Sequence, residues 1–233
     1  MQRLRVRYAK RGRLRFTSHR DFSRAFERAV ARARLPVAYS SGFNPHPRIS
    51  YAGASPTGAA SEAEYLEVGL AEESDPAAVQ AALDDALPVG LDVLEVVVSP
   101  GGSLADLLEG SVWRTRVPGL PPAAAADAVR QLLAAEEVHV ERMTKKGMRT
   151  FDCRAAVVAL AVRPETGDEC AILDMVLRHG TPSVRPDDVL AGLRTIAGLE
   201  ATAAPLHERL AQGPLDAQTG TVGDPLALNR DTA

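Results

Sequence analysis

The chain has 233 residues, 45% hydrophobic and 24% charged, an ordinary soluble composition with room for one large domain or two of about a hundred residues each. No run approaches the roughly 20 apolar residues that a bilayer span needs, and Met-Gln-Arg-Leu-Arg has no signal-peptide character, so a cytoplasmic protein with no membrane contact is expected. The net charge of −3 conceals a reversal: residues 1–50 carry thirteen Lys or Arg against Asp21 and Glu27, whereas residues 51–110 carry twelve acids and no base. Either an anionic partner, nucleic acid foremost, or neutralisation by the acidic segment accounts for it.

Taken in chain order, Arg3-Leu4-Arg5-Val6-Arg7-Tyr8 alternates as a strand, with Arg3, Arg5 and Arg7 on a cationic face and Leu4, Val6 and Tyr8 on a dry one. Lys10–Arg13 reads as a turn, and Leu14 and Phe16 resume the alternation briefly. A helix then starts near Ser18 or Asp21, both suitable N-caps, and stops before Pro36. On it Arg20, Arg24, Arg28 and Arg32 recur every four residues, opposite Phe22 and Phe26, so the arginines form the outward face. Four like charges at this spacing repel by a few tenths of a kcal/mol per pair, so something outside the helix should compensate them. Arg outnumbers Lys twenty-four to three along the chain, so the spacing carries more information than the residue type.

A rigid loop with Gly42, Pro45 and Pro47 follows, presenting Tyr39, Phe43, Asn44, His46 and Arg48 before a short strand at Tyr51. Those side chains offer rings for base stacking, an imidazole and a phosphate ligand, although Phe43 and Tyr51 would equally serve as core anchors. The stretch from Gly53 to Ser61 has no phosphate-cradling pattern. Strands at Glu64–Leu70 and Leu91–Val98 flank a helix at Ala77–Leu87 with Asp75 as N-cap and Pro76 at its first position. Strand, helix, strand, strand, helix, strand is the split βαβ order.

After the break at Ser99–Ser103 the second half repeats this order with one surplus strand. Strands are expected at Ser111–Val117, Val138–Thr144, Phe151–Val162, Ala171–Leu177 and Ala201–Leu210, and helices at Pro122–Ala134 and Pro186–Ile196. The expected fold class is α+β, two tandem ferredoxin-like (βαββαβ) domains at residues 1–100 and 111–212, with a disordered tail at 213–233. Lys145, Lys146 and Arg149 add a second basic site on a hairpin. Cys153 and Cys170 are too few for a disulfide framework or a metal quartet, and no cofactor is expected. A metal site from His19, Asp21 and His46 competes with the simpler reading of a helix cap beneath the loop.

The runs Phe16-x-Ser18-His19-x-Asp21, Ser41-Gly42-Phe43-Asn44-Pro45-His46-Pro47 and Gly58-x-x-Ser61-x-x-Glu64-Tyr65, with Thr144-Lys145-Lys146-Gly147 and Asp152-x-Arg154, closely resemble an uncharacterised bacterial family, the radical SAM-linked proteins. The resemblance covers most of residues 1–212. It implies a partner, a cobalamin-type radical SAM enzyme encoded nearby. More distantly the architecture is similar to the tandem ferredoxin-like RNA-binding proteins of CRISPR systems, a likeness of fold only. The chain lacks the three closely spaced cysteines of a radical SAM cluster, so it is not itself that enzyme. Two readings follow. In one it is a noncatalytic accessory that binds or presents tRNA or rRNA through the basic residues and the loop. In the other it is a metal-independent endoribonuclease using His46 and His19 as general acid and base.

Overall fold

The computed structural model describes residues 1–144, 147–164, 170–199 and 201–230. The chain divides into two compact units, Met1–Leu108 together with the segment from Asp224 onward, and Glu109–Gly223. Both are mixed α and β, built on antiparallel sheets.

In the first unit the elements run β1 (Gln2–Lys10), α1 (His19–Arg32), β2 (Ile49–Ala52), β3 (Ala60–Leu70), α2 (Pro76–Ala86) and β4 (Val93–Val98). The strands lie in the order β4-β1-β3-β2, every neighbouring pair antiparallel. Alternation places Leu4, Val6 and Tyr8 of β1 and Leu66, Val68 and Leu70 of β3 on one face, where they pack with Phe22, Phe26 and Val30 of α1 and Val79 and Leu83 of α2. Ser18 caps α1 by accepting from the Asp21 amide, and Asp75 caps α2 with Pro76 at its first position. Leu14 and Phe16 do not extend β1. Gly12–Phe16 winds instead into a short 3-10 turn that leaves Phe16 exposed.

The opposite face of this sheet is covered as well. Leu104, Leu108 and Leu226 pack on Ala52, Ala63 and Tyr65, with Val97 at the margin. Leu226 precedes the short helix Ala227–Arg230, whose Arg230 forks onto Glu95 at 2.6 and 2.7 Å. The terminal residues expected to be disordered therefore carry structure. Leu215–Asp216 and Thr221–Val222 form a small antiparallel ribbon, and 224–230 complete the first unit's second face.

The second unit contains β5 (Gly110–Pro118), α3 (Pro122–Ala134), β6 (His139–Thr144), β7 (Gly147–Asp152), β8 (Val157–Val162), β9 (Cys170–Arg178), α4 (Pro186–Ala197) and β10 (Leu206–Gly213). Its main sheet runs β10-β5-β9-β8, while β6 and β7 pair only with each other. The surplus strand thus belongs to a separate hairpin, and the single strand expected over Phe151–Val162 is broken by a 3-10 turn at Arg154–Ala156. Asp152 causes the break: its carboxylate accepts from the amides of Val138, Arg154 and Ala155, ending the ribbon with a side-chain cap.

Candidate functional site

Helix α1 displays Arg20, Arg24, Arg28 and Arg32 on its exposed side because Phe22, Phe26, Ala29 and Val30 turn inward. Arg32 has a local task, donating to the Ala86 carbonyl at 3.1 Å and so closing the C-terminus of α2. Arg20, Arg24 and Arg28 form no ion pair with any acid among the described residues.

Strand β1 behaves differently from its sequence expectation. Arg5 is buried at 2% exposure, where its Nε donates to Glu67 Oε1 at 3.0 Å and its terminal nitrogen to the Gly101 carbonyl at 2.8 Å. Arg7 donates to the Glu62 carbonyl at 2.9 Å and is half-buried. Only Arg3 of the three remains substantially open, 4.0 Å from Glu67. The expected solvent-facing cationic strand is corrected on this point: the face is largely turned inward, with Arg5 and Arg3 met by the Glu67 carboxylate and Arg7 by the Glu62 backbone carbonyl. Arg11 follows the same logic, pairing with Glu62 and, at 2.7 Å, with Asp92. The two explanations of the charge reversal therefore divide by element, with internal neutralisation on β1 and none on the middle of α1.

The loop before β2 is closed at its base. Tyr39 bridges Pro47, the Ser40 amide donates to the His46 carbonyl at 2.9 Å, and the His46 amide donates to Ser40 Oγ at 3.1 Å. Gly42, at φ +150°, makes the turn at the tip, in a region that L side chains rarely adopt. Phe43 is fully exposed, so it is no core anchor, and Asn44, His46 and Arg48 are exposed with it. Tyr51 does enter the core, against Phe22 at 5.8 Å between ring centroids, and burial pushes its phenol above its ordinary pKa.

His19 packs edge-on to Tyr51 at 5.0 Å, and Ser18 donates its hydroxyl to the Asp21 carboxylate at 2.6 Å. Those contacts are the helix cap and its packing. Among the described residues no cluster of three or more His, Cys, Asp or Glu is placed to hold a metal, and no ring contact joins His19 to His46.

In the second unit Arg149 is exposed on β7, directly across the ribbon from Arg142, which turns away to pair with Asp188. Lys145 and Lys146 lie outside the described residues. His207, to which the sequence assigned no role, links Thr115 Oγ1 and Asp187 Oδ1 at 2.9 Å each, and this contact holds the Asp187 carboxyl below its ordinary range. Thr115 has no exposed surface, so the relay ties β5, β10 and α4 together and offers no accessible nucleophile.

Sequence reasoning missed the exposed ring of Phe16 and the inward turn of Arg5. The first follows from a 3-10 turn that a two-residue alternation cannot reveal, the second from partners supplied by a neighbouring strand and a distant loop.

Residues 3–186 match the family model described as an uncharacterised protein conserved in bacteria, DUF2344. The chain belongs to this family. The DUF2344 match takes in α1, the loop at 39–48 and the β6–β7 ribbon, and ends at the first residue of α4, leaving β10 and the terminal segment outside it. A search of curated proteins finds no match.

Proposed function

We propose that this DUF2344 chain is a noncatalytic RNA-binding module that takes hold of unpaired RNA through the outward face of α1 and the loop at 39–48. The observation that carries the reading is the row Arg20, Arg24 and Arg28, exposed and without an acidic partner among the described residues. Proteins ordinarily dilute such a row with Glu or Asp, because like charges one turn apart destabilise the helix. A polyphosphate backbone supplies the missing counter-charge, and Phe43 supplies a ring on which a base can stack. Strand order β4-β1-β3-β2, all antiparallel, with α1 and α2 on one face supports a ferredoxin-like reading of the first unit, and β10-β5-β9-β8 supports the same for the second with the β6–β7 ribbon inserted. The sequence resemblance to radical SAM-linked proteins supplies the context, an accessory that presents its RNA to a cobalamin-type enzyme encoded nearby.

Fluorescence anisotropy with a labelled single-stranded oligoribonucleotide tests the RNA reading. Log affinity should fall with log salt by about 0.7 per phosphate contacted, and an Arg20→Gln/Arg24→Gln/Arg28→Gln variant should lose about 2 units of slope. Phe43→Ala should weaken binding while leaving the slope alone. Absence of binding at about 50 mM salt, or a salt-independent affinity, rejects the proposal. Anaerobic co-purification with the neighbouring radical SAM enzyme tests the partner separately.

A further inference from the structure

Three adjacent strands of the first unit place Arg3, Gly69 and Arg48 in one row across the sheet. Arg3 stands opposite Gly69 in the β1–β3 ladder, and the Gly69 amide donates to the Arg48 carbonyl at 2.8 Å as β2 begins. Leu4, Val68, Leu70 and Ile49 point to the helices, so Arg3, Gly69 and Arg48 belong to the other face. The cover of Leu104, Leu108 and Leu226 lies over Ala52, Ala63 and Tyr65, and this corner stays open. Two arginines therefore stand on either side of Gly69, about 10 Å apart, two strand spacings, and Met1 lies beside them with its Sδ 3.6 Å from Arg48 Nη1.

The gap is a cleft. One depression of about 360 Å³ is lined by Met1, Arg3, Arg48, Ser50, Glu67 and Gly69, and a second of about 530 Å³, sharing Arg3, Ser50 and Glu67, continues towards Ser103 and Ala105. Glu67 is the single acid among the lining residues; it is held by Arg5 at 3.0 Å and the Ser99 hydroxyl at 3.2 Å, and reaches Arg3 only at 4.0 Å. Counting Arg5, the corner holds three guanidiniums against one carboxylate. A Cβ at Gly69 would come 3.3 Å from the Arg48 Cβ, so any larger residue would fill the notch and press on the Arg48 stem.

We propose that this Arg3–Gly69–Arg48 notch is a binding site for a phosphomonoester. Two forks facing one tetrahedral dianion give charge-assisted, multidentate contacts, and the Ser50 hydroxyl adds a neutral donor. The ligand is either the terminal phosphate of an RNA strand or a free nucleoside monophosphate. The first source rests on the RNA-binding reading; the site itself does not.

The experiment uses the full chain and one oligoribonucleotide sequence carrying a phosphate at its 5′ end, at its 3′ end, or at neither, with adenosine monophosphate as a separate titrant in calorimetry. One phosphorylated form should bind about tenfold more tightly than the unphosphorylated one, the ratio of roughly one charge-assisted hydrogen bond. Arg3→Gln and Gly69→Ala should each erase that ratio and leave the affinity of the unphosphorylated strand unchanged, whereas Arg48→Gln, at the end of the RNA-binding loop, should erase the ratio and weaken both strands. Equal affinity for all three strands with no heat from the mononucleotide overturns the site while leaving the RNA reading intact. Mononucleotide binding that Arg48→Gln abolishes, with no strand bound, upholds the site and overturns the RNA reading. Arg48→Gln lies on the surface and leaves the backbone at Gly69 unaltered, so a folding defect in Gly69→Ala would not obscure the answer.

Discussion

Arg5 and Glu67 stand directly opposite each other in the β1–β3 ladder, joined from Nε to Oε1 at 3.0 Å, with Arg5 only 2% exposed. A guanidinium in that position is tolerated because its charge and donors are met. Removing the carboxylate alone leaves the charge in place with its counter-ion gone. Glu67→Ala should therefore destabilise by about 3–5 kcal/mol in urea denaturation, whereas Arg5→Met/Glu67→Leu should recover most of that loss. A Glu67→Ala variant as stable as the parent would mean that the backbone carbonyl of Gly101 is sufficient for Arg5.

The α1 arginines predict the opposite balance. Arg28 has Arg24 one turn before it and Arg32 one turn after, with only Ala25 and Ala31 three residues away, and none of the three arginines has an acidic partner among the described residues. Arg28→Glu converts two repulsions into two attractions and should raise stability by roughly 0.5 kcal/mol at low salt. The same change should weaken RNA binding more than Arg28→Gln does. A variant that gains stability and loses affinity identifies a face retained for its ligand; unchanged affinity in both variants would remove α1 from the interface.

Periodicity made α1, α2, α3 and α4 legible to within a few residues, because their apolar stripes and their Ser, Asp or Pro starts are local signals. The outward stripe on α1 was legible for the same reason. Arg5 was not, since it is buried against Glu67 of the neighbouring strand and the Gly101 carbonyl of a distant loop, on a face that alternation alone labels as wet. The notch at Gly69 was equally hidden: Arg3 and Arg48 become neighbours of one glycine only once the antiparallel register of three strands is set. The break between β7 and β8 escaped because it depends on one side chain, Asp152, whose apolar neighbours read as one continuous strand.

Leu226 is fully buried within a segment whose Gly, Pro, Thr and Asp content suggests disorder. Single anchors of this kind are invisible to composition. Leu226→Ala should cost about 2–5 kcal/mol, as truncations in packed cores do. Arg230→Ala removes a fork onto Glu95 that is exposed to solvent, and should cost under about 1 kcal/mol. Hydrogen exchange should show the Leu226→Ala loss as faster opening of β3 and β4. If the two variants are equally mild, the terminal segment rests on the unit without stabilising it.

Cys153 has no exposed surface, and its Sγ lies where a Cβ at Gly192 of α4 would approach to 2.8 Å. Burial, reinforced by the Asp152 and Asp188 carboxylates, pushes the thiol from its ordinary value of 9.0 up to about 11. In the unfolded chain the thiol ionises at the lower value, so the folded state binds its proton more tightly. The stability this provides is complete below pH 9 and drains away as pH rises to about 11. Its full size is about 2–3 kcal/mol, at about 1.4 kcal/mol per unit. Urea denaturation at pH 8 and pH 11 should therefore show a steeper loss for the parent than for Cys153→Ala, and a thiol reagent at pH 8 should reach Cys153 only after unfolding. Equal slopes, or prompt labelling of Cys153 in the folded protein, would place that thiol in contact with water.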